Sequence, residues 1–226
     1  MDLKKFFQLI IFLVVAFCHS QNLRNTLNFS TVKDTKLYFS YSNSRLPVIS
    51  AHRGGATNGY PENCIETFEY TLGKTLAIFE VDVRMTQDNK VVLMHDETLE
   101  RTTSGKGKVK DFNLEKVKSL SLRDSEGKIT PFKAPSLKEA IRWSKGKTLL
   151  NLDVKDVSIQ KKVQIVKQHN AFPYVIFTVH TAEQAKAFYE IDKRSMFSAF
   201  IKTKQALQSY EAAGIPWDNI LIAYVG

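Results

Sequence analysis

Four short stretches concentrate side chains able to do chemistry. The first reads Ile49-Ser50-Ala51-His52-Arg53-Gly54-Gly55, followed by Tyr60-Pro61-Glu62-Asn63. It sets a proton-transfer group, His52, beside a permanent cation, Arg53, among glycines that let backbone approach a ligand. The second is Phe79-Glu80-Val81-Asp82-Val83-Arg84. Strand alternation puts Glu80 and Asp82 on one face and the apolar Phe79, Val81 and Val83 on the other. Two carboxylates on an interior strand repel each other and resist desolvation unless a cation lies between them. With no Cys or His cluster beside them, their oxygens suit a hard ion, Ca2+ or Mg2+. The third stretch, Val91-Val92-Leu93-Met94-His95-Asp96, ends an apolar run on a second histidine, with Asp96 placed to orient it. The fourth, Leu149-Leu150-Asn151-Leu152-Asp153-Val154-Lys155, carries Asn151, Asp153 and Lys155 on one face. Asp153 could supply a third ligand to the ion of Glu80 and Asp82, leaving Lys155 to meet an anion. Each stretch alone also has a plain structural reading, a histidine in a tight turn or a buried ion pair. Together, paired imidazoles, carboxylates and cations point to metal-assisted cleavage of a phosphoester.

The elements that must position these groups are β-rich runs at 48–51, 78–84, 91–95, 148–155, 174–179, 196–201 and 220–225. Helical patterns lie between most of them. Ser136 with Glu139, and Thr181 with Gln184, form capping-box signatures. Ile159, Val163 and Val166 recur at helical spacing, with Asn170 as a stop, and Gly214 ends a pattern carrying Ala206, Leu207 and Tyr210. Strands alternating with helices imply a parallel sheet with helical crossovers. An open doubly wound sheet and a closed (β/α)8 barrel both fit, and in either the C-terminal strand ends hold the site. Seven strands are one short of a closed barrel, so a barrel reading carries the expectation of an eighth strand missing and of a longer parent polypeptide.

The chain has 226 residues, 43% hydrophobic and 24% charged, with two cysteines. This excludes a collagen-like repeat, a disulfide-stapled miniprotein and a mostly disordered chain. Lys4 and Lys5 precede an apolar run from Phe6 to Phe17, broken only by Gln8, and small residues follow at Cys18 and Ser20. That is the pattern of a secretory signal peptide over residues 1–20, cleaved near Ser20, and it is shorter than the ~20 apolar residues of a membrane span. Secretion or periplasmic export is therefore expected. Its removal leaves Cys64 alone and unable to form an internal disulfide. Residues 21–46 read as a polar N-terminal extension, and 47–226 as the catalytic domain. The net charge of +9 raises the question of nucleic acid, and residues 101–118 are densely basic. They carry one aromatic and no binding motif, so a solvated basic loop is expected, with no nucleic-acid partner. The charge also favours anionic substrates and transient contact with membrane surfaces.

The segments HRGG…PEN, FEVDVRMT, VVLMHDETLERTT and NLDVK resemble glycerophosphodiester phosphodiesterases from about His52 to Lys155. The resemblance implies a (β/α)8 barrel that cleaves glycerophosphodiesters to glycerol 3-phosphate and an alcohol with a divalent metal. It implies that His52 and His95 are the acid–base pair and that Glu80, Asp82 and Asp153 are metal ligands, Asp153 standing where the family usually has Glu. Arg53 and Lys155 match its phosphate-contacting cations, and Glu62 matches a position near the metal. It further implies attack by the substrate's own glycerol hydroxyl, giving a cyclic phosphate that water opens. Cys64 stands where the family usually has Thr. Two other readings keep part of this picture. One is a lysophospholipase D or sphingomyelinase D-like enzyme with the same histidines. The other is a non-catalytic phosphate-binding protein.

Overall fold

The computed structural model describes residues 25–43 and 47–225. The signal segment at 1–20 lies outside the described residues. Helix α1 (Val32–Phe39) precedes strand β1 (Ile49–Ala51), helix α2 (Ile65–Leu72) and strand β2 (Ala77–Val81). A hairpin of β3 (Val83–Met85) and β4 (Val91–Leu93) follows, then an excursion carrying the short helix α3 (Leu114–Ser119). The chain continues as α4 (Leu137–Ser144), β5 (Leu150–Leu152), α5 (Ile159–Gln168), β6 (Val175–Val179), α6 (Ala182–Ile191), β7 (Phe197–Ile201), α7 (Lys204–Ala212) and β8 (Ile220–Val225). Strands β1-β2-β5-β6-β7-β8 form one six-stranded sheet, parallel at every pairing. It is the curled sheet of a (β/α)8-type barrel, with β1 and β8 at its edges.

The predicted strand 91–95 is not part of that sheet. Val91–Leu93 pairs antiparallel with Val83–Met85. The predicted strand 78–84 is likewise broken at Asp82, for a reason found 19 residues away: the Asn63 side chain takes the Asp82 backbone N–H at 3.0 Å. The Asp82 carbonyl accepts instead from Met94 at 3.0 Å. With both backbone groups of Asp82 engaged elsewhere, the ladder cannot continue.

Register sorts the sheet into two faces. On the outer face Phe79 stacks on Phe68 of α2, and Phe177 on Phe188 of α6, with ring centroids 4.9 and 4.4 Å apart. This is the main core. On the inner face, Glu80, Asn151 and Ile176 are register partners on β2, β5 and β6. Thr178 Oγ1 donates to Asn151 Oδ1 at 3.0 Å across that face. Toward the strands' N-terminal ends the inner face is apolar, with Ile78, Leu149, Ile176 and Met196. The N-terminal segment covers it: Leu27 and Phe29 are buried against these residues. Burying side chains of this size stabilises by about 2 kcal/mol each. The Leu27 N–H bonds the Lys147 carbonyl at 2.7 Å, and α1 is held by a full Thr31–Asp34 capping box. The segment read from sequence as a polar extension is thus, over its described residues, the floor of the barrel.

The excursion, residues 94–134, has its own small core of Met94, Leu99, Val109, Val117, Leu122 and Ala134, joined by Cys64 and Val92. Among the described residues no helix is long and apolar enough to cross a membrane.

Candidate active site

β1, β2 and β5 bring their C-terminal ends together. The backbone leaves β1 through a single 3-10 turn, His52–Gly54, in which Arg53 takes the left-handed conformation (φ 52°). Gly54 follows at φ 91°, and a Cβ there would sit 2.3 Å from the Phe68 ring, so only glycine fits. This sharp turn aims the Arg53 N–H at Glu80, whose Oε2 accepts it at 2.8 Å. Asp82 is 1% exposed and is held by Asn63 Nδ2 at 2.8 Å from Oδ2. Lys155 Nζ lies 3.0 Å from Asp82 Oδ1 and 2.6 Å from Asp153 Oδ2. Arg53 Nε is 3.8 Å from Asp82 Oδ2 and is buried without a hydrogen-bond partner.

Glu80, Asp82 and Asp153 each offer a carboxylate oxygen, and these lie within 4.8 Å of one another. Oxygens bound at about 2.4 Å on opposite sides of one Ca2+ are about 4.8 Å apart, so the three fit a single hard cation. The donor set is all oxygen, as such an ion requires. Burial pushes the Glu80 carboxyl up to about 7, with Asp82 and Asp153 adding repulsion against the opposing Arg53 N–H and Lys155. The Lys155 ammonium is held above its ordinary value: burial opposes it, but its contacts with Asp153 and Asp82 outweigh burial.

A second set of charges adjoins the first. Arg53 Nη1 donates to Glu62 Oε2 at 3.1 Å. The other side of Glu62 is gripped by Arg101, Nη1 to Oε2 and Nη2 to Oε1, both at 2.9 Å. Arg101 also reaches Asp96, through Nε to Oδ2 at 2.6 Å and Nη2 to Oδ1 at 2.9 Å. Asp96 Oδ1 in turn lies 2.7 Å from His95 Nδ1. Burial would raise the Glu62 carboxyl, but the Arg101 and Arg53 guanidiniums hold it below its ordinary value. Arg101, against partial burial and with help from His95, holds Asp96 far below the usual carboxylate range. An ionised Asp96 accepts from Nδ1–H and leaves Nε2 of His95 as the ring nitrogen free to exchange a proton.

The sequence-predicted residues therefore fall into two linked groups. Glu80, Asp82, Asp153, Lys155 and Arg53 form one; Glu62 and His95 belong to the other, and Glu62 faces two guanidiniums rather than the acidic cluster. His52 is exposed at the head of the turn, one residue before Arg53. His95 enters from the β3–β4 hairpin rather than from a parallel strand. Two members were not singled out from sequence: Asn63, which lies in the PEN segment, and Arg101, which lies in LERTT. Within the basic stretch 101–118, Arg101, Lys108 and Lys118 pair with Glu62, Glu97 and Glu139, Arg101 and Lys108 remaining half exposed.

Comparison with known proteins gives one answer. The sequence pattern of the Glycerophosphoryl diester phosphodiesterase family matches residues 52–213. The crystal structure of a glycerophosphoryl diester phosphodiesterase from Parabacteroides distasonis superposes with a TM-score of 0.87 at 51% identity, covering 89% of this chain and 70% of that one. The glycerophosphodiester phosphodiesterase of Caldanaerobacter subterraneus is 34% identical over 139 residues, 58% of this chain and 57% of its own. An Oleispira antarctica phosphodiesterase solved in complex with the product sn-glycerol-3-phosphate shares the fold, with a TM-score of 0.59 at 23% identity, over 74% of this chain and 70% of that one. The chain spans 57%, 56% and 52% of the length of three curated relatives it matches. It belongs to the glycerophosphoryl diester phosphodiesterase family.

Proposed function

We propose that this member of the glycerophosphoryl diester phosphodiesterase family hydrolyses glycerophosphodiesters to glycerol 3-phosphate and an alcohol, with a Ca2+ or Mg2+ ion held by Glu80, Asp82 and Asp153. The observation that carries the reading is the convergence of those three carboxylates within 4.8 Å, at the strand ends, beside two cations. Across both linked groups five carboxylates (Glu80, Asp82, Asp153, Glu62, Asp96) face three cations (Arg53, Lys155, Arg101), and the surplus matches a divalent ion in charge.

When bound, the ion supplies positive charge against the carboxylates and against charge developing on the phosphoryl oxygens. The chain's own groups do the rest. Lys155, at the rim of the acidic cluster, is a fixed ammonium for a phosphate oxygen. Arg53 keeps a buried donor unpaired, and its guanidinium is braced by Glu62. Of the two imidazoles, one takes the proton of the attacking glycerol hydroxyl and the other returns one to the leaving alcohol; water then opens the resulting cyclic phosphate, with the two proton-transfer roles exchanged, to give glycerol 3-phosphate. His95, with Nδ1 committed to Asp96, uses Nε2 for this. Residues 1–20 support export from the cytoplasm.

The test is turnover of glycerophosphocholine and glycerophosphoethanolamine with and without EDTA, for the wild type and for His52→Ala and His95→Ala. Loss of activity on chelation and in both variants is expected. Turnover that ignores chelation, or that survives both substitutions, would overturn the reading.

A further inference from the structure

Arg101 sits outside the sheet, on the excursion, yet its one guanidinium bridges the carboxylates of two separate segments, Glu62 and Asp96. Through Nε and Nη2 it makes a forked contact with Asp96, and through Nη1 and Nη2 a second fork with Glu62. Those carboxylates hold His95 Nδ1 at 2.7 Å and Arg53 Nη1 at 3.1 Å. The planar, five-donor guanidinium is the one side chain whose geometry serves two carboxylates at once, and an ammonium at the same place would not span them. The backbone behind it is anchored. Leu99, Thr102 and Thr103 are buried; Thr102 Oγ1 donates to Met94 Sδ at 3.0 Å and Thr103 Oγ1 to the Leu99 carbonyl at 2.7 Å. The Arg123 N–H closes on the Thr102 carbonyl at 2.8 Å. The small core of the excursion thus works as a mount for Arg101.

We infer that Arg101 is a positioning residue of the phosphodiesterase site, which through Asp96 and Glu62 holds the proton-transferring ring of His95 and the phosphate-facing Arg53 in register with each other. This rests on the proposed hydrolase reading. Released from Arg101, Asp96 is free to rotate away from Nδ1, and the ring loses the tautomer that frees Nε2. Glu62 then keeps one guanidinium instead of two, and Arg53 gains a second pose. The Arg101 side chain is half exposed, and ion pairs in water-accessible positions contribute little to stability. Its removal therefore acts on geometry more than on folding.

The experiment compares wild type, Arg101→Ala and Arg101→Lys on glycerophosphocholine, with thermal melting and calorimetric Mg2+ titration on each. Misplacement of a reacting group by an ångström costs about 100-fold, and that is the expected fall in kcat for Arg101→Ala. Mg2+ affinity and Tm should stay close to wild type. Millimolar guanidinium, which can enter the half-exposed slot, should restore at least tenfold of the loss in Arg101→Ala and nothing in His95→Ala. Arg101→Lys should remain impaired although its charge is kept. Should Arg101→Ala not fold, impairment of Arg101→Lys with unchanged Mg2+ binding carries the test. Wild-type kcat in Arg101→Lys, or an Arg101→Ala defect that guanidinium leaves untouched, would overturn the inference. An inactive wild type would instead overturn the hydrolase reading.

Discussion

The acidic cluster at the ends of β2 and β5 and the ion-paired network beside it are built from the same residue types, yet Glu80 of the cluster is displaced in the opposite direction from Glu62 and Asp96 of the network. Burial, Asp82 and Asp153 push Glu80 up to about 7. Glu62, also removed from water, is held below its ordinary value because two guanidiniums outweigh its burial, and Arg101 does the same for Asp96. The difference is stoichiometric. In the network Glu62 and Asp96 share the doubly forked Arg101, and Nη1 of Arg53 adds to Glu62, whereas in the cluster three carboxylates have the Lys155 ammonium and only the far side of that same Arg53, its Nε 3.8 Å from Asp82. A closed set of pairs is a scaffold. An open set, short of positive charge and walled by strands, is a place for an ion.

The largest expected effect separates the two sets directly. Asp82→Asn, or chelation, should remove metal binding and lower turnover by about 1000-fold, in the range of lost electrostatic stabilisation at a reacting centre. Asp96→Asn should leave metal affinity intact and cost about 10- to 100-fold, as supporting partners do. Equal loss of metal in both variants, read by calorimetry, would erase the distinction between them.

The next effect comes from the opposite end of the barrel. Phe29→Ala should destabilise by about 3 kcal/mol in a denaturant melt. Activity per folded molecule should hold, because Phe29 packs on Ile78 and Met196 rather than near either charged set. A selective loss of turnover would mean that the floor and the site are coupled.

The pH dependence of stability then sets the two groups against each other. Glu80 has a folded value above its ordinary 4.5, so without metal its contribution is fully present below about 4.5 and is lost as pH rises through about 7. Glu62 and Asp96 have lowered values, so their contribution is present above the ordinary carboxylate range and is lost as pH falls through their folded values. Melting curves in EDTA should show Glu80→Gln flattening the decline between about pH 5 and 7 while leaving the acid limb unchanged. A decline that persists in Glu80→Gln would assign it to another group.

The smallest effect is a control on local structure. Cys64 is the N-cap of α2 and makes no side-chain cap; its Sγ turns to Glu66 at 2.8 Å instead. Cys64→Ser supplies the missing acceptor and should stabilise by about 1 kcal/mol with kinetics unchanged.

Much of this was legible in residue spacing, and what was not has a common cause. Parity, a local property of a strand, put Glu80 with Asp82 and Asp153 with Lys155. Both pairs do meet in one site, although β2 stops at Val81 and β5 at Leu152, while Asn151 turns instead to Thr178. The Ser136–Glu139 capping box was equally local and is present in full. The second one was half right: Thr181 caps Gln184, but the Gln184 side chain reaches back to the His180 N–H instead. The apolar run 91–95 gave no sign of its partner, since a buried strand looks alike in parallel and antiparallel pairing. The break at Asp82 depends on Asn63, and the Glu62–Arg101 pair spans 39 positions. Helix α1 was missed because Lys33, Asp34 and Lys36 blur its period, and the barrel floor it supports exists only in three dimensions.

The most direct test is calorimetric titration of Mg2+ and Ca2+ into the metal-free protein at several pH values, in buffers of different ionisation enthalpy. One ion per chain should bind, expelling about one proton below pH ~7, so that affinity falls about tenfold for each pH unit of acidification. Asp82→Asn should bind nothing. Absence of a binding isotherm in the wild type, or an unchanged isotherm in Asp82→Asn, would contradict the assignment of the cluster as a metal site.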